Sequence, residues 1–562
     1  MSGEPGGGGE VAPPNPIEAR WGQAFPRLTP AQIARLEAHG KRSRTRRAEV
    51  LVEPGERHPG LFVILSGSVE VVRPGLAGEE LIVVHMPGQF SGEMSSLRGV
   101  ASVVRVRVRE EGEILIIDYE NLRAIVQTDT ELSEILMRAF ILRRVGLIAS
   151  QSGDVILIGS RHSAGTLRLQ QFLTRNAFPY VSIDVEKDPS AQALLDRFHV
   201  SVDDIPVVLC RGEKMLKNPG NEEIAACLGM NPQIDDAKVR DLVVIGAGPA
   251  GLAAAVYGAS EGLDVLVLEA SAPGGQAGSS SKIENYLGFP TGVSGQALAG
   301  RALVQAQKFG AEVAVASGAV RLRCEQRPYE IDLSNEHVVR ARAIVVATGA
   351  EYRRLALGNL DRFLGVGVYY AATAVEARLC KAEEVVVVGG GNSAGQAAVF
   401  LAAGCRHVHI LVRSNGLADS MSRYLIRRIE QSANITLHVR TQISALEGDS
   451  QLERVTWRSE KGSETREIKH VFLMTGAVPN TSWLQGCIAL DEKGFVRTGP
   501  DLHPEDLVPA QWPHARAPHL FETNWPGIFA VGDVRCGSTK RVAAAVGEGS
   551  ACVQLVHRVL HE

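Results

Sequence analysis

Between about Phe25 and Ser150, apolar residues alternate with polar ones in short runs. These are Glu49–Glu53, Leu61–Leu65, Ser68–Val72, Leu81–Val84 and Glu113–Ile117. A period of two with Pro and Gly between the runs predicts short strands that close into a small barrel. A helical period follows, with Leu132, Ile135, Leu136, Ala139, Phe140 and Leu142 on one broad face. It reads as a packing helix, with a hinge or dimer contact as the alternative. From about Asp154 to Pro232 the pattern changes. Val155–Ile158 predicts a buried strand, Ala164–Asn176 a helix, and Tyr180–Asp184 and Ile205–Leu209 two further strands, which together make an α/β sandwich. Lys238–Glu562 contains two strand–glycine turn–helix signatures far apart, and so two nucleotide-binding domains.

The first signature is Leu242-Val-Val-Ile-Gly246-Ala-Gly248-Pro249-Ala250-Gly251. Its glycines allow a tight turn, close approach of a diphosphate to backbone N–H groups, and close helix–strand packing. The next strand, Asp264–Leu268, ends on Glu269, about 20 residues on, where an acid receives a ribose hydroxyl. The second signature is Val385-Val-Val-Val-Gly389-Gly-Gly391-Asn392-Ser393-Ala394. Its following strand, His407–Val412, ends on Arg413 instead of an acid. An acid suits the free hydroxyl of NAD and an arginine the extra phosphate of NADP, so NADPH is expected here, with NADH as the alternative. A solvated strand-end arginine is the competing reading of Arg413.

Composition narrows the function classes. With 562 residues the chain exceeds the ~250–300 that one core supports, so several domains are expected. A formal charge of -4 and 5% aromatic residues give no footprint for nucleic acid. Eight cysteines without a CxxC pair do not make a disulfide scaffold, and a cytoplasmic location is expected. Met1–Pro16 is rich in Gly and Pro and reads as a disordered tail. The uncharged runs Leu242–Ser260 and Val385–Cys405 are each broken by glycines, so no membrane span is expected.

At this point the third region resembles the low-molecular-weight thioredoxin reductases of the pyridine nucleotide-disulfide oxidoreductase family. The shared motifs are Gly274-Gly-Gln276, Glu284–Phe289, Ala347-Thr-Gly349, Gly389–Ala394, Gly476–Thr481, Gly527–Asp533 and Lys540–Ala543. The resemblance implies FAD bound by Gly246, Gly248, Pro249, Ala250, Gly251, Glu269, Gly275, Gln276, Asn285, Val320, Thr348, Gly349, Asp533, Arg541 and Val542. It implies NADPH bound by Gly389, Gly391, Asn392, Ser393, Ala394 and Arg413. It also implies a homodimer, with the NADPH domain inserted between two parts of the FAD domain. The family's CxxC pair falls on Ala371 and Ala374, and a methyl group can neither attack a disulfide nor form a thiolate. Of the family's three arginines for the 2′-phosphate, only Arg413 has a counterpart; Ser414 and Ala418 take the other places.

The second region resembles a thioredoxin or glutaredoxin fold. Asp204-Ile-Pro206 matches the cis-proline segment, and Ser163-Ala-Gly-Thr166 stands where a redox pair would open the first helix. The first region resembles a cyclic-nucleotide-binding domain through Pro54–Val72 and Phe90-Ser-Gly92-Glu93-Met94. There Gly92 and Glu93 match the ribose-gripping end of the cassette, and Ser102 stands where the cassette has its phosphate-binding arginine. Arg98 and Arg105 are the candidate replacements. Retained binding of a cyclic nucleotide and a purely structural module both stay open.

The expected fold is multidomain α/β. An N-terminal β-barrel with helices (25–150, after a tail at 1–24) precedes a thioredoxin-like domain (151–235). Two Rossmann-like domains follow, FAD at 236–352 and 474–562 and NAD(P)H at 353–473. The expected activity is an FAD-dependent NAD(P)H oxidoreductase. Its acceptor is not a CxxC disulfide: a quinone, a ferredoxin- or flavodoxin-like protein, or a small oxidant. A flavin-based sensory protein, and a disulfide reductase using Cys210, Cys227 or Cys536, are the alternatives. No metal is expected at Cys405, His407 and His409, although they share a strand face. Tyr369 and Tyr370 read as packing residues, with an aromatic shield for the flavin as the alternative.

Overall fold

The computed structural model describes residues 21–56, 60–75, 78–92, 102, 104–149, 155–160, 163–186, 201, 204–210, 214–280, 282–449, 451–510 and 512–562. Glu93, Arg98 and the tail to residue 20 lie outside them. The chain divides into two compact units. One is 1–156 with 178–181 and 209–214; the other is 157–177, 182–208 and 215–562.

In the first unit, β1 (Lys41–Thr45), β2 (Val50–Val52), β3 (Gly60–Gly75), β4 (Gly78–His85), β5 (Phe90–Ser91) and β6 (Arg105–Asp118) form a six-stranded sheet. Its path runs β1-β6-β3-β4, with β2 on β6 and β5 on β3, and no ring-closing pair occurs among the described residues. The runs expected as two strands at Leu61–Leu65 and Ser68–Val72 are one strand, β3. Its register on β6 slips between Ile64 and Val69. Gly67 causes this: its φ is +74°, and a Cβ there would lie 2.6 Å from the Glu110 carbonyl, so a bulge replaces the expected turn. Helix α1 (Thr130–Ala149) buries Leu132, Leu136, Ala139 and Phe140, the face expected from the sequence.

The middle segment supplies β7 (Val155–Gly159), α2 (Ala164–Arg175), β8 (Val181–Asp184), β9 (Val207–Cys210) and β10 (Lys214–Lys217), with strand order β10-β9-β7-β8. Ser163 caps α2 by accepting from the Thr166 N–H, and the Ile205–Pro206 peptide is cis.

The second unit continues with β11 (Val239–Ile245), α3 (Pro249–Ser260), β12 (Val265–Glu269), α4 (Gly295–Phe309), β13 (Glu312–Val315), β14 (Ala319–Arg323), β15 (Tyr329–Leu333) and β16 (Val338–Val346). The sheet order is β13-β12-β11-β16-β15-β14. β11, β12, β13 and β16 run parallel, and their near-continuous apolar sequence reflects burial on both faces. The chain then crosses through β17 (Ala350–Tyr352) into a second parallel sheet. This contains β18 (Val368–Tyr369), β19 (Glu384–Val388), β20 (His407–Leu411) and β21 (Ile435–His438), with α5 (Ala374–Leu379) and α6 (Asn392–Ala402) between strands. A three-stranded antiparallel sheet, β22 (Gln442–Glu447), β23 (Arg454–Ser459) and β24 (Gly462–Arg466), precedes β25 (His470–Leu473). The parallel order is β18-β25-β19-β20-β21.

The return strand β26 (Ala477–Pro479) pairs antiparallel with β17, Ala350 opposite Pro479 and Tyr352 opposite Ala477. The inserted half therefore leaves and rejoins its host through a two-stranded ribbon. Finally β27 (Ile528–Ala530) adds to β16 in parallel, and α7 (Val542–Leu560) packs on α3. Among the described residues no helix is long and apolar enough to cross a membrane.

Candidate dinucleotide sites

At the end of β11 the chain turns through Gly246, whose φ is +105° and where a Cβ would sit 2.4 Å from the Ala347 carbonyl. Gly251, one turn into α3, faces the Gly246 carbonyl so closely that a Cβ would lie 1.8 Å from it. Gly248 is the N-cap of α3, and the nearest atom to a Cβ there is 4.0 Å away, which leaves the helix N-terminus open. Pro249 occupies the first turn, where its missing N–H costs nothing. An open N-terminus with convergent N–H groups favours a diphosphate.

Glu269 closes one side of this turn. Its Oε2 accepts from the Ala247 N–H at 2.8 Å and its Oε1 from the Ser271 N–H at 2.9 Å. Burial pushes its carboxyl above the usual carboxylate range, against those two N–H groups and the charge of Arg175. Gly274 and Gly275 follow with φ of +103° and +54°, and the Gly274 N–H donates to the Ala247 carbonyl at 2.7 Å. The Gln276 amide donates to the Ala350 carbonyl. Thr348 Oγ1 donates to the Asn480 carbonyl at 2.9 Å, and Asn480 Nδ2 returns a bond to the Thr348 carbonyl at 3.0 Å. Gly349 has φ +64° with nothing within 4 Å of a Cβ. Asp533 stands just beyond β27. Burial pushes its carboxyl up, partly offset by the Lys540 ammonium, and no donor among the described residues bonds its carboxylate. A half-buried carboxylate without a donor suits a ligand rich in hydroxyls.

Other expected contacts lie farther out. Asn285 and Arg541 are exposed, the latter as N-cap of α7, and Val542 opens that helix half-buried. Val320 is 52% exposed at a register slip in β14.

The second turn repeats the design. Gly389 has φ +141°, and a Cβ would meet the Met474 carbonyl at 2.2 Å. Gly391 caps α6, with its nearest neighbour 4.0 Å from a Cβ. Asn392 and Ser393 are exposed, and Ala394 is buried against the sheet. Arg413 is exposed just beyond β20, and no acid among the described residues pairs with it.

The family model described as pyridine nucleotide-disulphide oxidoreductase matches residues 240–549. The chain belongs to the pyridine nucleotide-disulphide oxidoreductase family. A thioredoxin reductase of Listeria innocua is 31% identical over 332 residues, spanning 58% of this chain and 96% of that protein. The crystal structure of Lactococcus lactis thioredoxin reductase (FR conformation) aligns with a TM-score of 0.51 at 26% identity, over 57% of this chain and 99% of that one. The crystal structure of T. acidophilum thioredoxin reductase gives a TM-score of 0.50 at 26% identity, over 57% of this chain and 98% of that one. Residues 42–129 match the model of a cyclic nucleotide-binding domain.

Within the oxidoreductase half, Ala371 is half-buried and Ala374 opens α5, whose N-cap Thr373 accepts from the Val375 N–H at 3.1 Å. Tyr369 lies in β18 with its ring stacked on His470 (centroids 5.9 Å) and against Phe472 (5.3 Å), so it packs the inserted half. Cys536 is half-buried, and burial with a hydrogen bond to Asp491 pushes its thiol up, away from the thiolate. Cys210 is buried and Cys227 half-buried. The sequence pattern did not bring Cys324 and Cys487 together; the fold pairs them at Cα–Cα 6.3 Å across a separation of 163 residues. Cys405 lies beside Cys380, sulfur to sulfur 3.6 Å, while His409 turns to His438 (3.1 Å). Among the described residues no three His, Cys, Asp or Glu are placed to hold a metal.

In the cyclic-nucleotide module, Ser102 is buried and its hydroxyl donates to the Val104 carbonyl at 2.8 Å. Arg105, the described candidate replacement, donates to Glu53 at 2.8 Å and pairs with Glu79. Arg143 of α1, which the sequence pattern did not single out, donates to the Gly92 carbonyl at 2.6 Å and lies over the rings of Phe25 and Phe90.

Proposed function

We propose that this chain is an NADPH-dependent FAD oxidoreductase whose electrons leave the flavin for an acceptor other than a CxxC disulfide. One observation carries the reading. Both glycine cradles are formed and open, while the segment from Gly367 to Ala374 between them carries no sulfur. Bound FAD would supply a two-electron centre that accepts hydride from the nicotinamide and passes electrons on. The chain's own part is placement. The N-termini of α3 and α6 would take the two diphosphates, Glu269 a ribose, Asp533 the flavin's polyol, and Arg413 the 2′-phosphate that favours NADPH. Without sulfur at the CxxC positions Ala371 and Ala374, a quinone, a ferredoxin- or flavodoxin-like protein, or a small oxidant is the fitting acceptor class.

The N-terminal module is read as a regulatory input. A cyclic phosphate bound through Arg105 would have to displace Glu53 or Glu79, since Ser102 is committed to its own backbone.

Anaerobic stopped-flow tests the proposal: NADPH should bleach the flavin absorbance within milliseconds to seconds. An acceptor screen with and without cyclic nucleotides should then favour quinones or redox proteins over a disulfide dye. A flavin bleached by neither NADPH nor NADH would rule the enzyme out, and efficient reduction of the dye would rule out the acceptor class.

A further inference from the structure

Helix α2 belongs in sequence to the middle segment, yet both of its ends rest on the oxidoreductase half. At its start a Cβ on Gly365 would lie 3.1 Å from the Ala164 methyl, and Leu167 joins the core cluster of Tyr369 and Ala372. Midway, Gln171 Nε2 donates to Glu376 at 2.5 Å. At its end the Thr174 carbonyl accepts from Gln296 (2.8 Å), and Asn176 Nδ2 donates to the Ser271 carbonyl (3.3 Å).

The last residue of α2, Arg175, reaches furthest into the first cradle. Its Nη2 donates to the carbonyls of Gly275 (3.1 Å) and Ala272 (3.4 Å). Those carbonyls bracket the turn whose Gly275 would place a Cβ 3.2 Å from Gly248 Cα, at the N-terminus of α3. The guanidinium lies close enough to Glu269 to oppose that carboxyl's upward shift. Its Nε is buried and has no hydrogen-bond partner among the described residues. Glu269 and Glu376 act on this largely buried guanidinium through space, but its direct bonds among the described residues go to neutral carbonyls and one donor is unused, which leaves room for an anion bonded to it. A diphosphate arriving at the α3 N-terminus brings that negative charge.

We infer that Arg175 is a positioning residue for the flavin dinucleotide: it fixes the Ala272–Gly275 turn against α3 and lends positive charge to the bound diphosphate. The middle segment is then a structural wall of the flavin site, not only a neighbour of it. The inference rests on the reading that this cradle takes FAD.

The test uses the full chain, stripped of flavin and titrated with FAD at several salt concentrations, with flavin fluorescence as readout. Arg175→Met should weaken FAD binding about tenfold, equivalent to ~1.4 kcal/mol, and flatten its salt dependence. Arg175→Lys should restore the salt dependence and part of the affinity. Gln171→Ala loosens the same helix without touching the charge and should stay within about twofold of wild type. Thermal melts of each apo variant establish that it is folded. Unchanged affinity in Arg175→Met overturns the inference alone, as does an equal loss in all three variants with an unchanged salt slope, which would mark plain docking. A wild-type chain that takes up no FAD overturns the reading of the cradle and this inference with it.

Discussion

Gly251→Ala should empty the first cradle, and the size of the effect follows from two contacts. The added methyl would start 1.8 Å from the Gly246 carbonyl oxygen and 3.2 Å from Val244 Cγ1. Ordinary contact needs roughly 3.5 Å, so α3 would have to retreat by well over an ångström. It cannot do so freely. Gly549 of α7 also lies against it, with a Cβ position only 2.1 Å from the Ala250 carbonyl. Overpacking of this kind costs about 1–3 kcal/mol, and here the upper end applies because α3 is held closely both by the Gly246 turn and by α7. The better helix propensity of alanine returns ~1 kcal/mol. The net of about 2 kcal/mol corresponds to roughly 30-fold in FAD affinity, because the α3 N-terminus moves with the helix. Visible-to-ultraviolet absorbance ratios after gel filtration would give flavin content, and a thermal melt would report the packing loss. Gly300→Ala is the control: it sits exposed on α4 with nothing within 4 Å of a Cβ, and should keep its flavin. A Gly251→Ala protein with full flavin and an unchanged melting temperature would refute the reasoning.

Arg413→Ala should raise the KM for NADPH about tenfold and leave that for NADH nearly unchanged, since an exposed guanidinium with no acid partner among the described residues would, on the proposed reading, serve only the extra phosphate; steady-state kinetics with both cofactors decides, and an equal effect on both would sink the assignment. Acid should destabilise the inserted half through His409. Burial pushes its pKa down to about 4, with Glu384 pulling upward and His407, Arg466 and His438 adding to the fall. The unfolded chain then binds more protons than the folded one, so the contribution is intact above about pH 6.5 and is lost as pH falls from there toward 4, by at most ~3 kcal/mol. His409→Gln should flatten the melting temperature between pH 7 and 5, and a variant that keeps the wild-type slope would place the pH sensitivity elsewhere.

The two cradles were legible because their glycines answer to local constraints. Gly246 and Gly389 need positive φ and admit no Cβ, and each follows a run of apolar residues buried on both faces. The parallel strands and their crossover helices follow from the same pattern. What escaped has a long-range cause. Nothing near residue 175 announces that its guanidinium meets carbonyls about a hundred residues later. Cys324 and Cys487 lie on stretches with no shared motif and meet only because the sheet and its covering loops fold together. Arg105 looked free to bind an anion in sequence, but Glu53, just beyond β2, and Glu79 of β4 pair with it. The single long strand β3 was hidden by Gly67, which reads as a turn and acts as a bulge.

The ribbon of β17 and β26 also sets a timetable for biosynthesis. Strand β16 cannot gain its neighbour β27 until some 180 residues later in the chain, and α7, whose Gly549 meets Ala250, comes later still. The first half of the host sheet therefore leaves the ribosome with an open edge, while the inserted half can complete its own parallel sheet from residues already made. Maturation would run inside-out, with the guest domain folding first and the host sheet closing only after β27 and α7 have emerged.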